Sequence, residues 1–170
     1  MYRSDADDRA PALRAALAEA LEQSFRACPE PVHQLRSPWL GPCTLAEHHT
    51  VDGALRSLTL AYGPWDTDQP HVRVTTWRDP AGAGAAAEDL AGFEAAEPEE
   101  VTVDIAGAAT PGTLLRAAGG ALLLRVDRDP LHLLASGRGP LGDLAFDPLT
   151  DLAPVVEARR AYLAARFPDA

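Results

Sequence analysis

Short apolar runs with period-two alternation, broken at close intervals by turn-forming pairs, restrict this chain more than any other feature. Asp52-Gly53 stands between candidate strands Thr44–Val51 and Ala54–Tyr62, and Asp-Gly suits the positive φ angles of a type I′ hairpin. Leu58, Leu60 and Tyr62 alternate toward one face. After the turn-rich stretch 63–70, His71–Trp77 reads as a third strand, with Val72 and Val74 on one side. Beyond Pro98 the pattern returns in Val101-Val103-Ile105, Thr113–Ala117, Ala121–Val126 and Leu131–Ser136. Pro111-Gly112, Gly119-Gly120 and Asp129-Pro130 separate these runs with turn chemistry. Connections this short favour antiparallel neighbours, so the second half reads as a meander.

Two segments carry helical periodicity instead. From about Arg9 to Ala27, Leu13, Ala16, Leu17, Ala20, Leu21 and Phe25 recur at three- and four-residue spacing, and Pro29 and Pro31 stop the run. The chain closes with a second helix over 152–166, with Asp151 as N-cap and Pro154 in the first turn, where a missing N–H does no harm. Residues 29–42 read as a Pro-rich connector, and 79–100 as a short helix around 85–95 or a mobile loop. The expected fold is thus a single α+β domain over 1–170. An antiparallel, meander-like sheet of about six or seven strands packs against the N-terminal and C-terminal helices. That element order is similar to secretion-chaperone-like folds, which bind other proteins; the resemblance is of order alone, with no motif behind it.

At 170 residues the chain buries roughly 70% of its unfolded surface and needs no disulfide or metal to hold one core. All 15 basic residues are arginine, with no lysine and no asparagine, a bias that follows GC-rich bacterial codons rather than anion recognition. A net charge of −10 opposes nucleic acid and anionic membranes as partners. The first residues carry no basic and apolar leader, and no run reaches the roughly 18 apolar residues of a membrane span, so the expected compartment is the cytoplasm. Cys28 and Cys43 read as small buried hydrophobes in that setting.

Several constellations carry potential chemistry. With a two-residue turn at Asp52-Gly53, Val51 faces Ala54, His49 faces Arg56 and Glu47 faces Leu58, which puts Glu47, His49 and Arg56 on one sheet face and His48 on the other. Adjacent histidines on a strand do not ligate one metal, and the ligand spacing of a zinc site is missing. Asp127, Asp129 and His132 crowd a tight turn, where Asp and Pro are also favoured for local backbone reasons. Cys43 lacks a feature that would activate it. Gly82-Ala83-Gly84 and the stretch 136–140 match neither a dinucleotide nor a phosphate loop. Trp39, Trp65 and Trp77 lie in or beside connectors, where large rigid aromatics serve as interface anchors.

The sequence therefore favours a non-catalytic protein-binding protein: an adaptor, an immunity-type inhibitor or a secretion-chaperone-like carrier. Trp39, Trp65, Trp77, Glu47, His49 and Arg56 are its candidate binding residues, and it has no cofactor or metal. A basic protein is the expected partner, since complementary charge speeds encounter, and a homo-oligomer is compatible with the chain. The alternative is a small metal-dependent or acid–base enzyme built on the polar patch around His49.

Overall fold

The computed structural model describes 32–36, 40, 43–52, 54–64, 69–77, 93, 96–117, 119–128, 131–139 and 144–166, with scattered positions over 11–26. Among these residues nine strands form: β1 (His33–Arg36), β2 (Cys43–Val51), β3 (Ala54–Tyr62), β4 (His71–Trp77), β5 (Pro98–Ile105), β6 (Ala108–Arg116), β7 (Leu122–Arg128), β8 (Leu131–Arg138) and β9 (Ala145–Pro148). They join in one sheet of order β1-β9-β5-β6-β7-β8-β4-β3-β2. Every neighbouring pair is antiparallel except β5 with β9, which makes the sheet mixed.

The sheet curls into a half-barrel, and this corrects the expected α+β sandwich of a sheet between N-terminal and C-terminal helices. Among the described residues the protein is mostly β, and its one continuously described helix is the short C-terminal α1 (Ala153–Arg166), packed on β2. Curling is the physical reason. A strongly twisted sheet of this width buries its concave face against itself, so much of the apolar alternation is satisfied inside the curl. Phe146, Leu58, Leu60, Ile105, Leu133, Val72, Val74 and Val126 fill that interior. The expected N-terminal helix falls on a segment described only at scattered positions, and most of 79–97 lies outside the described residues.

Two short strands hidden in connectors raise the strand number. β1 arises within the Pro-rich 29–42, where Val32 and Leu35 are buried and the Leu35 N–H donates to the Tyr62 hydroxyl at 3.2 Å. This bond ties the far edge of the sheet to β3 and draws the curl inward. Burial pushes the Tyr62 phenol well above its ordinary pKa, so it stays neutral. β9 pairs with β1 along its whole length and runs parallel to β5 at Asp104–Ala145 and Ile105–Phe146. The Arg36 guanidinium clamps this corner, donating to Asp147 on β9 and to Asp104 on β5 at 3.1 Å. That hydrogen bonding, outweighing desolvation, holds the Asp147 carboxyl below the usual carboxylate range.

β6 also runs longer than its sequence suggests. A two-residue turn at Ala106-Gly107, both at positive φ, closes the β5–β6 hairpin. Pro111-Gly112 then lies inside the strand rather than at a turn. Its position explains the tolerance: β7 pairs with β6 only over Thr113–Arg116, so Pro111 loses no ladder bond on that side.

Candidate functional site

Strand register decides which polar residues meet. The Asp52-Gly53 turn pairs Val51 with Ala54, and Asp52 takes a φ of 51°. A bulge between His49 and Thr50 then shifts everything beyond it by one residue, so His49 faces Ser57, His48 faces Leu58 and Glu47 faces Thr59. The expected His49–Arg56 and Glu47–Leu58 pairings are thereby replaced. Glu47 and His49 stay together on the convex face with Ser57 and Thr59, while His48 faces the concave side with Leu58 and Leu60, and Arg56 is the extra residue of the bulge on β3. The expected register of Glu47, His49 and Arg56 is therefore not formed, and the bulge is the cause.

On the convex face the register aligns a different set. Cross-strand partners run His49–Ser57–Trp77–His132–Asp127 over β2, β3, β4, β8 and β7. The neighbouring row runs Glu47–Thr59–Thr75–Leu134–Arg125–Thr113–Glu100. His132 and Asp127, read from the sequence as crowding a turn, meet directly at 2.7 Å between Nδ1 and Oδ1. Arg125 Nε donates to the other carboxylate oxygen of Asp127 at 2.6 Å. Trp77 stacks on the His132 ring, with centroids 5.4 Å apart and planes 21° apart. Burial alone would raise the Asp127 pKa, but hydrogen bonds from His132 and Arg125 outweigh it and hold the carboxyl low.

An ionised carboxylate only accepts, so the proton between the two sits on His132 Nδ1, and a neutral ring presents Nε2 as a hydrogen-bond acceptor. The stacked indole and the carboxylate fix the ring in two directions. His49, at the other end of the row, is three strand spacings from His132, or about 14 Å at roughly 4.8 Å per strand. The two histidines therefore do not act on one small ligand.

Trp77 supports this site from below. It is 6% exposed and packs with Leu123, Leu134, Phe93 and Leu115 in a small second core on the convex side. Beside it, Thr59 and Thr75 share a buried hydroxyl–hydroxyl bond of 3.0 Å. Trp39 and Trp65 lie outside the described residues. Glu47 meets Arg73 at 3.4 Å.

Next to Asp127 an open groove of about 530 Å³ crosses β5, β6 and β7, lined by Glu100, Thr102, Pro111, Thr113, Arg125 and Asp127 among others. Glu100 in its lining is exposed, as are Glu97 and Glu99 just before it in the chain. Arg116 takes up Glu99 at 3.1 Å and Arg125 takes up Asp127, while Glu97 and Glu100 have no ion pair among the described residues. Arg125, Glu100 and Ser57 were not singled out from the sequence. A two-residue turn at Asp129-Pro130 predicts the Asp127–His132 pairing, and Arg125 follows two places along on the same face; Glu100 and Ser57 are placed by long-range register.

Among the described residues no group of three or more His, Cys, Asp and Glu side chains is positioned to hold a metal ion, and no helix is long and apolar enough to cross a membrane. No family model matches the chain, and neither a curated protein nor a solved structure matches it.

Proposed function

We propose that the protein is a non-catalytic protein-binding protein whose convex sheet face docks a basic segment of a partner. The observation that carries this reading is the open groove across β5–β7, with the carboxylates of Glu100 and Asp127 in its lining. An extended arginine- or lysine-bearing segment fits such a trough. Its charge complements both the rim and the net −10 of the chain. His132, held by Asp127 and Trp77, adds an oriented acceptor next to the groove.

Native mass spectrometry of the protein, purified gently from its own cells, tests this. A stoichiometric basic protein partner is expected, released by raised salt and by the double variant Glu97→Arg/Glu100→Arg. A lone chain, or a partner retained equally by that variant, contradicts the reading.

A second reading, acid–base catalysis by His132, is favoured by the 2.7 Å Asp127–His132 contact, which orients an imidazole as a general base requires. An activity abolished by His132→Gln but kept by Glu97→Arg/Glu100→Arg would select it over docking.

A further inference from the structure

Behind the convex site, on the concave side, a second polar cluster sits in the seam between β2 and α1. Ala46 is fully buried there, and His48 follows it by two residues on the same face. Arg159 crosses from α1 and donates through Nη1 to the Ala46 carbonyl at 3.0 Å. That bond fixes the guanidinium against the edge strand. It leaves the Nε–Nη2 edge, a geometry that matches two oxygens of a carboxylate or phosphate. Arg159 Nε and His48 Nδ1 are both buried, and neither has a hydrogen-bond partner among the described residues. Leaving such a group unsatisfied costs about 1–3 kcal/mol, and a native structure with two together calls for an occupant.

We propose that this seam is an anion site, in which Arg159 and His48 bind one small oxyanion of carboxylate or phosphate type. The surrounding charges favour it. On β2, Glu47 and His49 point to the convex face; on β3, Leu58 is the cross-strand partner of His48, and Arg56, two places before it, is the extra residue of the bulge. On α1, Glu157 is exposed and pairs with Arg160 at 3.8 Å, and among the described residues Arg159 has the Ala46 carbonyl as its one hydrogen-bond partner. Burial first, then Arg159 and His49, hold the His48 imidazole below its ordinary pKa. A bound anion opposes all three effects. Its binding therefore raises the His48 pKa, and by linkage the anion binds more tightly as pH falls.

The test is an NMR titration of the His48 ring against pH, in inorganic phosphate, in acetate and in chloride at equal ionic strength. Expected is a saturable rise of the His48 midpoint by about half a unit or more in phosphate or acetate, absent in chloride. A response to phosphate alone assigns a phosphoryl ligand, and one to acetate alone a carboxylate. In Arg159→Gln the affinity falls about tenfold with the far-ultraviolet circular dichroism unchanged. Should that variant fail to fold, His48→Gln serves instead, and it should lose the phosphate- or acetate-dependent rise in Tm. No saturable shift in the wild type, an equal shift in chloride, or an undiminished shift in the variants overturns the proposal.

Discussion

On the convex face the half-buried His132 is held by a carboxylate and an indole; on the concave face His48, three strands away and also half-buried, has Arg159 acting on it and no hydrogen-bond partner for its Nδ1 among the described residues. The same sheet thus gives one imidazole its partners and leaves the Nδ1 of the other without one. Leu133 and Leu134 repeat the contrast for apolar side chains. They are adjacent in β8 and each is 1% exposed, yet Leu133 belongs to the large interior cluster and Leu134 to the small convex one under Trp77 and Phe93. Alternation sends neighbours to opposite faces. What differs is the depth of packing on each side, and a half-barrel makes that difference large.

Truncation probes this contrast most strongly. Leu133→Ala should cost about 4 kcal/mol by urea denaturation, toward the upper end for a buried leucine, and Leu134→Ala about 2, because the thinner convex cluster can close on the gap. Equal losses would show that the convex patch is packed as tightly as the interior. Thr59→Val, which strands the Thr75 hydroxyl where it is fully buried, should cost about 1–3 kcal/mol, whereas the double replacement of Thr59 and Thr75 by Val should be close to neutral. A double variant no better than the single would mean that the hydroxyl pair contributes more than its own satisfaction.

pH separates the two faces further. The folded His48 pKa lies below its unfolded value of 6.5, so its contribution is complete above that pH and is lost as pH falls from there through the folded value. In phosphate-free buffer His48→Leu should flatten this part of the stability–pH curve, and an unchanged slope would refute the assignment. Asp127 is also depressed, so its contribution is complete above the unfolded carboxylate range and disappears as pH falls through the lower folded value. Its side chain is 45% exposed, and solvent screening limits the effect. Asp127→Asn should therefore destabilise by under about 1 kcal/mol at neutral pH, with the difference from wild type vanishing in acid. A deficit that persists in acid would point to packing rather than charge.

Arg159 offers the smallest and sharpest comparison, between the two ends of the sheet. β2 is an edge strand, and the Arg159 bond to Ala46 occupies one of its outward carbonyls. Unpaired edges template association, so Arg159→Ala should shift the protein toward concentration-dependent oligomers by analytical ultracentrifugation, and an unchanged monomer fraction would deny the guard role. β1, only four residues long at the other edge, should show no such shift when Arg36 is replaced by alanine.

Much of this arrangement is legible in local pattern. The hairpin at Asp52, the strand His71–Trp77 and the closeness of Asp127 to His132 follow from turn chemistry and period-two alternation. β1 and β9 do not, because four-residue strands in Pro- and Gly-rich stretches have no period to detect; their partners lie more than a hundred residues apart. The bulge after His49 is equally silent. The one extra residue is Arg56 on β3, which is thereby unseated from His49, and nothing in the sequence of the hairpin announces it.

The sequence by itself determined the β-rich alternation, the tight hairpins and the acidic charge, since each depends on neighbouring residues and the intrinsic geometry of the chain. Tertiary structure alone decided that the sheet curls, that His49, Ser57, Trp77, His132 and Asp127 share a row, and that Arg159 comes to lie over Ala46 and His48. Those outcomes depend on register and closure between distant strands, where the competing arrangements differ by long-range packing rather than by any local preference.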